Sequence, residues 1–288
     1  MSDGERRVAT SRPGIPGLLK WHLDGGKAPL ASRIVALMPP CTHYVEPFAG
    51  GLSVLLARDP EGVSEVVNDL NGDLANFWAC LRDGLAFGIL RRQLEAMPFS
   101  EADWRAAGEP DEAEGYWARS PKAPVDRAVA FFVRCRQSLA GRMGCFAPLS
   151  RTRTRRGMNE QASAWLTAVE GLPAVHARLK RVVILNRPAV EVIRSQDGPG
   201  SLTYCDPPYL KSTRAAPDVY AHEMSEADHA ELLDALLACD GKVMLSGYRS
   251  DLYDSRLASW TRHDFEVANH SAGGSAKRRM TECVWCNF

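Results

Sequence analysis

The sequence predicts an α/β protein, a mainly parallel sheet flanked by helices and interrupted by a long, mainly helical insert. Two observations carry this. Strand-length apolar runs alternate with helical spacing from 42 to 81 and again from 181 to 245, the order that builds a parallel sheet. Between them, from about 84 to 180, the alternation stops. A chain of 288 residues has room for one such domain, split into 1–83 and 181–288, with the insert at 84–180.

Residues 1–17 hold several Gly, Pro and Ser and read as a loose arm. Leu30, Ile34, Val35, Leu37 and Met38 recur at helical spacing, and Pro39-Pro40 stops that helix. Thr42–Val45 is a short strand running into the turn Glu46-Pro47-Phe48-Ala49-Gly50-Gly51, with a helix from Leu52 to Leu56. A second strand, Glu65–Val67, ends at Asn68-Asp69, and Leu74, Phe77, Trp78 and Leu81 mark the helix after it. Beyond the insert come the strands Val182–Leu185 and Ser201–Cys205, a helix near Glu226–Leu237 and the strand Lys242–Leu245.

Composition excludes whole classes. With 45% hydrophobic and 24% charged residues the chain is neither disordered nor fibrous. No apolar run approaches the roughly 18 residues that span a bilayer, and the polar start MSDGERRVATSRPG is not expected to be a secretory signal. Eight cysteines are too few for a disulfide scaffold, so they are expected to be small core residues in a reducing cytoplasm. Cys283 and Cys286 lie three apart in an alternating strand pattern, so they should face opposite sides, and no metal site is expected. Lys+Arg and Asp+Glu are equal at 35 each, yet the charges are blocked. Acids dominate from Glu95 to Asp126, whereas Arg127, Arg134, Arg136, Arg142, Arg151, Arg153, Arg155 and Arg156 follow with no acid among them. A cationic face is therefore hidden in a neutral total. It attracts phosphates or is simply solvated.

The chemistry lies at two strand ends. Adjacent glycines in the Glu46–Gly51 turn let the backbone approach a ligand, or only close a strand against a helix. Asp69, roughly 20 residues on, can accept both hydroxyls of a ribose or cap the next helix. No P-loop and no Gly-x-Gly-x-x-Gly spacing follows. Asp206-Pro207-Pro208-Tyr209 sits directly after an apolar strand. Two prolines stiffen that turn at the carboxyl edge of the sheet, presenting a carboxylate, a free carbonyl and an aromatic ring. Such a set suits a flat amine-bearing base.

Leu19-Lys20-Trp21, Gly25-Gly26-Lys27, Val45–Gly51, Asn68-Asp69-Leu70-Asn71, Asp206–Tyr209 and the closing Glu282-Cys283-Val284-Trp285 together resemble the Dam-like (D12 class) DNA adenine-N6 methyltransferases. The resemblance covers nearly the whole chain. It implies a Rossmann-like methyltransferase sheet with helices on both faces, the insert serving as the target-recognition region. It implies S-adenosylmethionine as methyl donor, bound by Glu46, Phe48, Gly50, Asp69 and Asp206, with Trp21 and Lys27 closing the pocket. Asp206 and the Pro207 carbonyl would hold the amine of a flipped adenine while Tyr209 stacks on its ring. The DNA partner, double-stranded, would meet Arg134, Arg136, Arg151, Arg153, Arg155, Arg156, Lys277 and Arg278, and Phe131, Phe132 and Phe146 would form the insert's own small core. Neither a membrane nor a protein partner is implied. Leu52 stands where many relatives carry a third glycine. Arg187-Pro188 replace an acidic residue, leaving the cofactor adenine to backbone groups. Enzymes that methylate cytosine N4 more often carry Ser at the first catalytic position, so Asp206 favours adenine. An idle DNA-binding relative would have no reason to keep Asp69 and Asp206.

Overall fold

The computed structural model describes residues 27, 29–108, 124–141, 143–214, 222–268 and 279–288. Helix α1 (Ala31–Leu37) ends before Pro39-Pro40 and leads into strand β1 (His43–Glu46) and the short helix α2 (Ser53–Ala57). Strand β2 (Ser64–Asn68) and helix α3 (Gly72–Arg82) complete the opening unit. After the middle helices the sheet resumes with β5 (Val182–Leu185), helix α8 (Ala189–Gln196), β6 (Ser201–Cys205), helix α9 (Glu226–Leu237), β7 (Lys242–Gly247) and helix α10 (Asp251–Arg256). It closes with β8 (Thr261–Ala268) and β9 (Arg279–Cys286).

These strands form one seven-stranded sheet in the order β5-β2-β1-β6-β7-β9-β8. The first five run parallel, and β9 runs antiparallel to both β7 and β8. Alternation along the strands explains how both faces are buried. Tyr44, Val67, Leu202, Tyr204, Met244 and Val284 point to the side packed by α1, α2 and α3. Val45, Val66, Cys205, Val243, Leu245 and Trp285 point to the side covered by α8, α9 and α10. Cys283 and Cys286 likewise fall on opposite sides. All eight thiols are free; five are buried, and Cys145 departs from the expected burial because it lies exposed in a turn.

The middle of the chain is helical: α4 (Gly84–Ala96), α5 (Glu101–Gly108), α6 (Pro124–Gln137) and α7 (Glu160–Leu179), with a small hairpin of β3 (Thr154–Arg155) and β4 (Met158–Asn159). Asp83 caps α4 by accepting from Leu85 N and Ala86 N. The phenylalanines of this region join the main core instead of making one of their own. Phe77 of α3 lies 5.6 Å from Phe132 and 5.7 Å from Phe131, ring centre to ring centre, and Phe132 meets Trp165 of α7 at 5.5 Å. The physical reason is the long apolar face of α3, which has more surface than the sheet alone covers. Among the described residues no helix is long and apolar enough to cross a membrane.

Candidate active site

Strands β1 and β6 are neighbours, and from them the chain proceeds toward opposite edges, through β2 to β5 on one side and to β7 on the other. Open α/β sheets bind ligands beyond the carboxyl ends of strands at this kind of switch point. The two predicted turns leave from those two ends: Glu46–Gly51 from β1 and Asp206–Tyr209 from β6. Gly50 takes φ +45°, with nothing within 4 Å of where a Cβ would stand, so the space above it is open. Leu52 also lies in the left-handed region at φ 58°, which explains why a third glycine would suit this turn. Burial of its side chain, 2% exposed, holds it there.

Asn68, fully buried at the end of β2, ties three strand ends together. Its amide donates to Pro47 O at 2.9 Å and Arg187 O at 3.0 Å, and its oxygen accepts from Arg187 N at 2.9 Å. Both backbone groups of Arg187 are thus committed inside the protein. Asp69 next to it accepts from Gly50 N at 3.0 Å and Asn71 N at 2.9 Å. Burial pushes its carboxyl up, against the amides of Asn71 and Gly50, which hold it down. The cap of α3 is Asn71, which accepts from Asp73 N and Leu74 N, so Asp69 is released from that role.

Around Asp206 four polar side chains converge. Lys27 Nζ lies 3.0 Å from Asp206 Oδ1 and also meets Glu282 and the Tyr209 hydroxyl. The Tyr209 hydroxyl approaches Asp206 Oδ1 at 3.3 Å and donates to Glu282. Lys27, Glu282 and Tyr209 are buried, and the Asp206 side chain is one-fifth exposed. Burial raises the Asp206 carboxyl to about 6; Lys27 pulls it down and Glu282 pushes it up. Burial alone would lower the Lys27 ammonium, but Asp206 and Glu282 outweigh it and hold it above its ordinary value. Glu46, 2% exposed, is pushed to about 8 by burial, opposed by a 2.6 Å hydrogen bond from the Tyr44 hydroxyl. Tyr248, just past β7, packs edge-on against Tyr209 at 4.6 Å. Among the described residues none donates to Asp206 Oδ2 or to the Pro207 carbonyl.

The structure therefore brings Lys27, Glu46, Gly50, Asp69, Asp206, Pro207 and Tyr209 to one edge of the sheet, with Phe48 half-buried against the α9 side. Trp21, Lys277 and Arg278 lie outside the described residues. The arginines divide. Arg134 on α6 lays its guanidinium 3.8 Å over the Trp104 ring and donates to Trp104 O and Met143 O, and Arg136 is half-buried on the same helix. Arg151, Arg153, Arg155 and Arg156 are exposed on or beside the β3–β4 hairpin, whose turn residues Arg156 and Gly157 both take positive φ. Arg156 is paired with Glu170 through two 3.0 Å hydrogen bonds. Reading the sequence missed the parts played here by Asn68, Tyr248 and Glu282. A charged residue inside an apolar strand run was the available signal for Glu282.

The family model described as D12 class N6 adenine-specific DNA methyltransferase matches residues 24–269. The chain is also similar to a DNA N-6-adenine-methyltransferase of Escherichia phage P1, 25% identical over 243 residues. That match takes in 81% of this chain but spans only 29% of the phage protein. On the extent of the family match, with its motifs gathered at one sheet edge, the chain belongs to the D12 class N6 adenine-specific DNA methyltransferases.

Proposed function

We propose that the protein transfers a methyl group from S-adenosylmethionine to the N6 amine of an adenine flipped out of double-stranded DNA. The observation that carries this is a pair of acceptors to which no described residue donates, Asp206 Oδ2 and the Pro207 carbonyl, at the β1–β6 switch point beside the open Gly50 turn. The donor set fits a cationic cofactor: the two carboxylates Asp206 and Glu282 outnumber the ammonium of Lys27, and Glu46, pushed to about 8, adds a neutral hydrogen-bonding group. Glu46–Gly51 would receive the methionine end, and the Asp69 carboxylate would accept from the ribose hydroxyls. S-adenosylmethionine supplies a methyl group on a sulfonium.

The chain's own residues do the rest. Adenine's amine is a poor nucleophile because its lone pair conjugates with the ring. Asp206 and Pro207 O draw on its two protons, which favours a tetrahedral nitrogen and frees the lone pair. Asp206, with its carboxyl at about 6, is ionised at neutral pH and takes up the proton shed when the amine becomes methylated. Flipping a base costs a few kcal/mol, which stacking against the Tyr209 side of the pocket offsets. The exposed hairpin arginines supply phosphate attraction.

Incubating the protein with plasmid DNA and S-adenosylmethionine, then sequencing for modified bases, tests the reading. N6-methyladenine is expected with the wild type and none with Asp206→Ala. Methylated cytosine would overturn the base assignment, and unmodified DNA would overturn the activity.

A further inference from the structure

Lys27 has three protons to donate, and Asp206, Glu282 and the Tyr209 hydroxyl are the three acceptors round it. Tyr209 has one proton, with Asp206 at 3.3 Å and Glu282 nearer. Glu282 thus accepts from both side chains that touch Asp206. It arrives from β9, the strand antiparallel to its neighbours, and sits at 6% exposure opposite Phe265 of β8.

A single ammonium would neutralise Asp206 by itself. A second carboxylate beside the first makes the buried cluster net negative, which is costly for folding and disfavours ionisation of Asp206. Such a group is retained where it does something a neutral side chain cannot. What it does is geometric. With Lys27 and Tyr209 both held by Glu282, their contacts to Asp206 fall on Oδ1 alone, and no described residue donates to Oδ2.

We infer that Glu282 is a positioning residue for methyl transfer, clamping Lys27 and Tyr209 from behind so that Asp206 offers one fixed, unengaged oxygen to the substrate amine. This rests on the methyl-transfer reading above. Among the described residues, the charged and titratable groups that face Asp206 are Lys27 and Glu282, Glu46 at the end of β1, Tyr204 and Cys205 on β6, Tyr209 on the same turn, Tyr248 after β7 and Tyr253 on α10. Of these, Glu282 and Glu46 are the carboxyl groups, and Glu282 raises the Asp206 carboxyl directly.

The test measures kcat and the KM for S-adenosylmethionine against pH on duplex DNA, for wild type, Glu282→Gln and Glu282→Asp. In Glu282→Gln, kcat is expected to fall about tenfold with KM within about twofold. The acid limb of its profile moves down by about one pH unit, because a negative neighbour of Asp206 has gone. Loss of structure alone would lower activity without moving that limb downward. Glu282→Asp keeps the charge, so its limb stays at the wild-type position, but the shorter acid fails to clamp both partners and kcat falls. An unmoved limb in Glu282→Gln, or wild-type kcat in either variant, overturns the inference. Should Glu282→Gln not fold, the kcat of Glu282→Asp decides. A wild type that methylates no adenine defeats the earlier reading, whereas a normal wild type with indifferent variants defeats only the role of Glu282.

Discussion

Tyr44 and Glu46, two positions apart on β1, share a 2.6 Å hydrogen bond on one face of the sheet in a fully buried setting. Residues i and i+2 of a strand point the same way, so the phenol stands directly over the carboxyl. Burial there pushes Glu46 to about 8. The folded state keeps its proton where the unfolded chain, with an ordinary glutamate near 4.5, has lost it. Stability from this group is therefore complete below about pH 4.5 and declines as pH rises through about 8. Glu46→Gln removes the titration and keeps an acceptor for Tyr44. Urea midpoints should fall between about pH 5.5 and 8 in the wild type, and fall less in the variant. Parallel slopes would contradict the assignment.

Asn68 joins the ends of β1, β2 and β5 through three side-chain hydrogen bonds. Asn68→Ala leaves buried backbone groups of Pro47 and Arg187 without partners, a cost of about 3 kcal/mol. The Glu46–Gly51 turn then loses its tether, so if it receives the methyl donor, calorimetry should find S-adenosylmethionine binding weakened about tenfold while binding to duplex DNA persists. Unchanged cofactor affinity would mean that the turn holds its shape without Asn68.

Glu65 lies 2% exposed between Arg58, at 2.9 Å, and Arg178, which bonds it with both guanidinium nitrogens. Arg178 also donates to Leu55 O at 3.2 Å, linking α7 to α2. Arg178→Met strips half the compensation from a buried carboxylate and should cost about 3 kcal/mol in chemical unfolding. A loss under about 1 kcal/mol would show that Arg58 alone satisfies Glu65.

Arg153 and Arg155 are exposed on the β3–β4 hairpin, whereas Arg134 is stacked on Trp104. The two kinds of arginine should fail differently. Arg153→Ala with Arg155→Ala should weaken duplex binding and reduce the slope of log affinity against log salt by about 2, leaving cofactor binding intact. Arg134→Ala should instead lower the melting temperature. An unchanged salt slope in the double variant would remove the hairpin from the DNA interface.

The two turns that meet at the sheet edge, Glu46–Gly51 and Asp206–Tyr209, were legible in the sequence because each is local: a strand end, a glycine pair, a proline pair. So was the alternation that covers both faces of the sheet, seen in Cys283 and Cys286 pointing apart. What escaped is non-local. Nothing near Glu282 announces that Lys27 will meet it across 255 positions, and nothing near Arg134 announces Trp104. The shift in charge at 95–156 suggested a separate unit with its own aromatic core. The apolar face of α3 draws Phe131 and Phe132 into the main one.

Of the strands described, β9 comes last along the chain, and it takes its place between β7 and β8. A ribosome-bound chain that has not yet emerged through residue 286 has the donor-side turns of β1 and β6 but no anion behind Lys27 and Tyr209. If Glu282 clamps that pair, methyl transfer is expected to arise only once β9 has paired with β7, which the activity of stalled nascent chains would check. A break between β7 and β8 then separates Lys27, Asp206 and Tyr209 from Glu282, and the two pieces are expected to methylate DNA only when mixed.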